Sequence, residues 1–176
     1  RYDPQTTRLR SFHDRVHAFL NGTDTPRAYL ERCLEKIDER ESDVRAFVTL
    51  NIEGARAAAD ASTERYTRGM RLSEIDGMPM GIKDLFESED MPTQCGSPIF
   101  EGNETGRDSA LIAGLRQAGA IILGKTVTTE FAFYNPGPTR NPFDLARTPG
   151  GSSSGSGAAV GAGFVPVAIG SQVVGS

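Results

Sequence analysis

The sequence is poor in histidine and cysteine, with two of each in 176 residues. Cys33 and Cys95 lie far apart and share no metal-ligand spacing, so they are expected as buried free thiols rather than a disulfide framework or a metal site. His13 and His17 fall four residues apart in His-Asp-Arg-Val-His, the spacing of a zinc helix. Asp stands where that motif has Glu and no third ligand follows, so both are read as surface histidines and no metal is expected. No histidine follows position 17, which leaves any serine nucleophile later in the chain to find another base. A membrane-spanning run is also missing. The uncharged stretch around Gly157 to Gly170 is short and broken by Pro166 and by glycine. No signal-peptide pattern opens the sequence, and a cytoplasmic protein with no membrane partner is the expectation. Net charge is -4 with both signs interspersed, which argues against a nucleic-acid footprint and for a small-molecule partner. There are no internal repeats.

What is present reads as one folded unit. A composition of 38% hydrophobic and 24% charged residues is ordinary for a globular chain of this length. Leu9, Phe12, Val16, Phe19 and Leu20 form a loose helical stripe ending at Asn21-Gly22, expected as a docking helix within residues 1–23. Thr25-Pro26 reads as a helix cap and first helical residue, and Tyr29, Leu30, Cys33, Leu34 and Ile37 then recur at helical spacing. Arg45 to Leu50 is expected as a short strand, and Ile52 to about Arg68 as an alanine-rich helix. Met78 to Ile82 is a buried strand ended by Lys83, whose alternation puts Pro79, Gly81 and Lys83 on one face. Lys83 taken alone would be a surface residue or half of a salt bridge with Asp84. Asp108 is expected to cap a helix through Leu111, Ile112, Leu115 and Ala118 that closes at Gly119, before a buried strand at Ile121-Ile122-Leu123. Helix and strand alternate, as in a layered α/β fold.

The stretch from Thr148 to Ser176 concentrates glycine and serine as no other part of the chain does. A flexible linker would stay polar, yet Ala158, Ala159, Val160, Phe164, Val165, Val167 and Ile169 follow without a charge and call for burial. A phosphate cradle lacks its signatures: GxxxxGK[ST] is absent, and no complete GxGxxG runs through Gly155, Gly157, Gly161 and Gly163. Gly151-Ser152-Ser153-Ser154-Gly155 matches the nucleophile-elbow pattern GxSxG, but turn formers precede it where that elbow needs a strand. Without a late histidine, lysine is the obvious base for a serine here, as in Ser/Lys variants of the hydrolytic triad.

These residues resemble the amidase signature hydrolases. The resemblance rests on Gly77-Met78-Pro79-Met80-Gly81-Ile82-Lys83-Asp84, on Gly124-Lys125-Thr126 with Thr129-Glu130-Phe131-Ala132, and on Asn141-Pro142. It continues through Gly150-Gly151-Ser152-Ser153 and Gly170-Ser171-Gln172 to Gly175-Ser176. It implies an α/β/α layered fold with a mixed central sheet, of which residues 24–176 would be the N-terminal part, stopping at the nucleophilic serine. By motif position it makes Ser176 the nucleophile, Ser152 a bridging serine on a cis peptide, and Lys83 the base. The backbone amides of Val173, Val174, Gly175 and Ser176 would form the oxyanion hole, with Ser153 beside the substrate, and Phe131 and Ala132 are candidates for a pocket wall. Phe133 and Tyr134 could join that wall, although core packing accounts for them equally well. Lys125 is a rival base, ranked below Lys83 because the lysine of that motif is not the catalytic one in the family. The implied activity is hydrolysis of a carboxamide to carboxylate and ammonia through a serine acyl-enzyme. It needs no cofactor, and a homodimer is compatible with it.

Such chemistry needs a neutral lysine near pH 7, and burial is the means of lowering its pKa from an ordinary value of about 10.4. Val173-Val174 depart from the family, which usually has Thr-Gly or Thr-Ala there, and two β-branched residues stiffen the loop. That departure keeps open a catalytically silent amidase-like fragment, and an A-type subunit of a tRNA-dependent amidotransferase is a separate alternative. Gln172, where many members have Asp, leans toward the small-amide hydrolases.

Overall fold

The computed structural model describes residues 9–133 and 135–172. The first stripe folds as α1 (His13–Leu20), with Phe12, Val16 and Phe19 buried against Tyr29, Cys33 and Tyr66. Phe19 meets Tyr66 edge-on at 5.3 Å, while Leu9 and Leu20 at the ends of the stripe are exposed. His13 and His17 lie on the exposed side of the helix. Helix α2 (Pro26–Val44) begins as its sequence predicts: the Thr25 hydroxyl accepts the Ala28 amide at 3.0 Å and Pro26 takes the first turn. Strand β1 (Phe47–Leu50) starts two residues later than expected. Arg45 instead closes α2 in the left-handed region, and the Glu41 carboxylate accepts the amides of Ala46 and Phe47. Helix α3 (Ile52–Thr67) is capped by Asn51, whose side chain accepts the Gly54 amide at 3.0 Å.

The polar connector after α3 is tied down by one buried carboxylate. Asp76 accepts the Arg65 guanidinium at 2.6 and 2.8 Å, the Ser62 hydroxyl at 2.7 Å and the Leu72 amide at 2.9 Å. Burial works against that charge, but these donors outweigh it and hold Asp76 below the ordinary carboxylate range. Strand β2 (Pro79–Lys83), helix α4 (Ala110–Gln117) and strand β3 (Ile121–Thr126) follow. Asp108 does not cap α4. Ser109 holds the cap position, and the Asp108 carboxylate accepts the Glu89 amide and pairs with Arg116, so it ties the 87–90 loop to the helix instead.

The sheet is mixed, in the order β1-β3-β2-β4, with β4 at Val167–Ile169. β2 is parallel to both neighbours, and β1 runs antiparallel to β3. On one face Ile121 and Leu123 pack with α2, α3 and a fifth helix, α5 (Ser154–Gly161). On the other, Met80, Ile82 and Ile122 pack with Ile112 of α4, which completes an α/β/α arrangement. A bulge in β3 decides which face receives its lysine. Met80 pairs with Ile122 but Gly81 pairs with Gly124, so Leu123 is an extra residue and the phase of the strand reverses after it. Lys125 thereby leaves the face of Ile121 and Leu123 and joins that of Ile82.

Glycine, serine and alanine dominate α5, so tertiary contact rather than propensity holds it helical. It lies unusually close to the sheet: a Cβ on Gly155 would sit 2.2 Å from the Ala46 carbonyl and 2.3 Å from the Val127 nitrogen. The Gly155 amide donates to the Val127 carbonyl at 2.9 Å. No described helix is long and apolar enough to cross a membrane.

Candidate active site

Strand β2 ends at Lys83, whose side chain is fully buried and directed at the start of α5. Its Nζ lies 2.6 Å from Ser152 Oγ, 2.9 Å from Ser153 Oγ and 3.3 Å from the Ser171 carbonyl. Ser152 follows a cis peptide bond from Gly151, and its carbonyl accepts the Thr129 amide at 3.0 Å. Among the described residues no carboxylate pairs with Lys83. Burial pushes its pKa below the ordinary lysine value.

The hydroxyls have distinct duties. Ser153 Oγ donates to the Ser171 carbonyl at 3.1 Å and accepts the Ser171 amide at 3.2 Å as well as Lys83, which uses its full capacity. Ser152 Oγ meets only Lys83 among the described residues, so its proton or a lone pair is left for another partner. One rung deeper, Ser156 Oγ bonds Thr126 Oγ1 at 2.7 Å and donates to the Ile169 carbonyl at 2.9 Å. Ser171 enters the site through its backbone, which no residue-type signal could announce. Ser156 left only its i, i+3 spacing from Ser153.

Lys125 is equally buried but differently placed. Its Nζ donates to Asp84 Oδ1 at 2.7 Å, to the Pro92 carbonyl at 2.9 Å and to Thr93 Oγ1 at 2.9 Å. Asp84 is thus the partner of Lys125 and not of Lys83. Burial lowers the Lys125 pKa too, but Asp84 opposes it. The three acceptors of Lys125, one of them anionic, match the three N–H bonds of an ammonium.

The remaining expected residues scatter. Val173, Val174, Gly175 and Ser176 lie outside the described residues, as does Tyr134. Phe131 is half exposed and, with Phe133, borders a hollow of about 480 Å³ that Ala132 does not line. Phe131 lies two residues from Thr129 and stacks edge-on with Phe100 at 6.0 Å. Ser153, Ser156 and Ser171 border a separate hollow of about 440 Å³ with Val160, Ala168, Gly170 and Gln172, which neither Ser152 nor Lys83 lines. A cavity of about 720 Å³ between Phe47, Val48, Gln94, Pro98 and Pro138 contains neither Lys83 nor the serines. Cys33 is buried and Cys95 partly so, both as free thiols. No group of three or more His, Cys, Asp or Glu side chains among the described residues could hold a metal ion.

A buried lysine at the end of β2 meets two serines beside a cis peptide ahead of α5, and comparison with known proteins finds the family that the sequence motifs resemble. The amidase family model matches residues 28–176. The chain belongs to the amidase signature family. The A subunit of the glutamyl-tRNA(Gln) amidotransferase of Acidothermus cellulolyticus is 42% identical over 163 residues, which cover 89% of this chain and 32% of that protein. Among solved structures, the peptide amidase of Stenotrophomonas maltophilia superimposes with a TM-score of 0.85 at 28% identity, covering 94% of this chain and 36% of its own. A protein solved in a study of the origins of an s-triazine catabolic enzyme gives 0.84 at 36% identity, covering 92% and 37%. This amidase signature chain therefore spans about a third of the length of the curated relatives it matches.

Proposed function

We propose that this chain carries the base and proton relay of a Ser-Ser-Lys amidase that converts a carboxamide to a carboxylate and ammonia. The observation that carries the reading is the 2.6 Å contact between Lys83 Nζ and Ser152 Oγ, in a buried site where no carboxylate among the described residues fixes the charge of the lysine. A neutral amine has two N–H bonds and one lone pair. The N–H bonds go to Ser153 Oγ and the Ser171 carbonyl, and the lone pair receives the Ser152 proton. Ser152 can then take the proton of Ser176 as Ser176 Oγ attacks the amide carbon.

The backbone amides of residues 173–176 receive the resulting oxyanion in this reading, a role that rests on the resemblance. As the C–N bond breaks, the proton returns from Lys83 through Ser152 to the leaving nitrogen, and ammonia departs. Water then attacks the acyl ester on Ser176 and passes a proton through Ser152 to Lys83; as the ester C–O bond breaks, that proton returns to Ser176 Oγ, and the acid departs as the carboxylate. At pH 7 an ordinary lysine is neutral about once in two thousand molecules, so the lowered pKa is what makes the relay effective.

The 42% identity to an amidotransferase A subunit supports a second reading, in which the same chemistry serves within a multi-subunit, tRNA-dependent assembly. Partner subunits recovered with the full-length protein would favour it. The first test is intact mass after treating the full-length protein with a fluorophosphonate. One adduct, absent in Ser176→Ala and strongly slowed in Lys83→Ala, is the expected outcome. A folded protein that takes no adduct would remove the reading and leave a silent site.

A further inference from the structure

Ser153 at the N-cap of α5 and Ser156 within its first turn grip the end of β4 and the chain that leaves it. Ser156 Oγ donates to the Ile169 carbonyl, and Ser153 Oγ both donates to the Ser171 carbonyl and accepts its amide. Residues three apart on a helix share a face, and residues two apart on an extended segment share an edge, so the two periods meet as rungs of a ladder. Gly170 sits between the rungs, where a Cβ would approach Ser153 Oγ to 2.8 Å. The upper rung also holds Lys83, through Ser153 Oγ and the Ser171 carbonyl together.

We propose that Ser153 and Ser156 form a hydroxyl ladder that sets the register of the 169–172 segment against α5, and that Ser153 is the positioning residue that aims Lys83 at Ser152. This rests on the amidase reading above and assigns Ser153 a different duty from substrate contact, because its hydrogen-bonding capacity is spent. Its hydroxyl caps no amide of α5, so its bonds to Lys83 and Ser171 are its task there. The ladder joins the base to the segment that runs on toward Ser176.

The charges around Lys83 leave the effect readable. No titratable side chain stands on α5, on β4 or anywhere in 148–172. On β3, Lys125 is turned to the opposite face and paired with Asp84, the residue just after β2. Loss of the Ser153 acceptor weakens the ammonium more than the amine.

In the full-length protein, Ser153→Ala should lower kcat about 10- to 100-fold with KM within about two-fold, and move the acid limb of the kcat/KM profile down by about one pH unit. Ser156→Ala keeps all three Lys83 acceptors and should lower kcat about three- to ten-fold without moving that limb. Lys83 can also be titrated without turnover, by its ¹³Cε resonance in lysine-labelled protein, assigned through its loss in Lys83→Ala. Ser153→Ala should lower that midpoint, and Ser153→Cys should do the same if the alanine variant does not fold.

An unchanged midpoint in the Ser153 variants overturns the proposal, as does an equal shift in Ser156→Ala. A raised KM with kcat and midpoint intact would return Ser153 to substrate contact and overturn it too. A wild type without fluorophosphonate adduct would instead remove the amidase reading, while the resonance titration still decides for or against the ladder.

Discussion

Lys83 and Lys125 stand on adjacent strands, one residue out of register, each with its side chain fully buried. One faces hydroxyls and a carbonyl at the start of a helix. The other faces a carboxylate, a carbonyl and a hydroxyl on the opposite side of the sheet. Burial lowers the pKa of both lysines, but at Lys125 the Asp84 carboxylate opposes it, whereas no carboxylate among the described residues does so at Lys83.

The largest expected effect breaks the pair on the Lys83 side. Lys83→Met should slow fluorophosphonate acylation of the full-length protein about 10²- to 10⁴-fold, the range of a general base. Chemical denaturation should find the same variant as stable as the parent or more so, because a costly buried amine is gone. A variant that acylates at the parental rate would equate the two lysines.

On the other side the consequence falls on stability. Lys125→Met strands the Asp84 carboxylate in the core and should cost about 3–5 kcal/mol in a urea titration. Adding Asp84→Asn should recover part of that loss, since an amide carries no charge to strand. If Lys125→Met unfolded no more easily than Lys83→Met, the ion pair would not be what separates them.

A third difference lies in pH. The folded-state pKa of Lys83 is lowered, so between that value and the ordinary value of about 10.4 the unfolded chain binds more protons than the native one. Stability from this group is lost at low pH and rises through that window by up to about 1.4 kcal/mol per pH unit. Subtracting the denaturation profile of Lys83→Met from that of the parent should isolate this slope. A flat difference would mean that Lys83 titrates as an exposed lysine does.

The smallest effect concerns the hydroxyls. Thr93→Val removes one acceptor from Lys125 and should cost about 1 kcal/mol in stability, leaving the acid limb of the activity profile in place. Ser153→Ala is the counterpart that should move it. Equal behaviour of the two in pH-rate measurements would erase the distinction.

Much of this was legible in the sequence because it depends on short-range chemistry. Thr25-Pro26 reads as a helix start, and it is one, since a cap needs only neighbouring residues. Lys83 at the end of an apolar run, with no histidine late in the chain, marks it as a candidate base. Asp108 shows where local reading fails: its type fits a cap, but Glu89 and Arg116 compete for the carboxylate and win through contacts distant in sequence. Helix α5 was invisible as a helix, because Gly155 and its serine neighbours have poor helix propensity and are held by β3.

The order of residues alone carries the family motifs, the buried strands and the residue types able to do amide chemistry, because apolar periodicity and side-chain chemistry are properties of neighbouring residues. Which partners each lysine meets is decided only by tertiary packing. A single bulge at Leu123 reverses the phase of β3 and sends Lys125 to Asp84 on the far face, while Lys83 faces Ser152 and Ser153 ahead of α5 and the Ser171 carbonyl. No pattern of residue types encodes that offset, since it is set by how two strands, distant in sequence, pair.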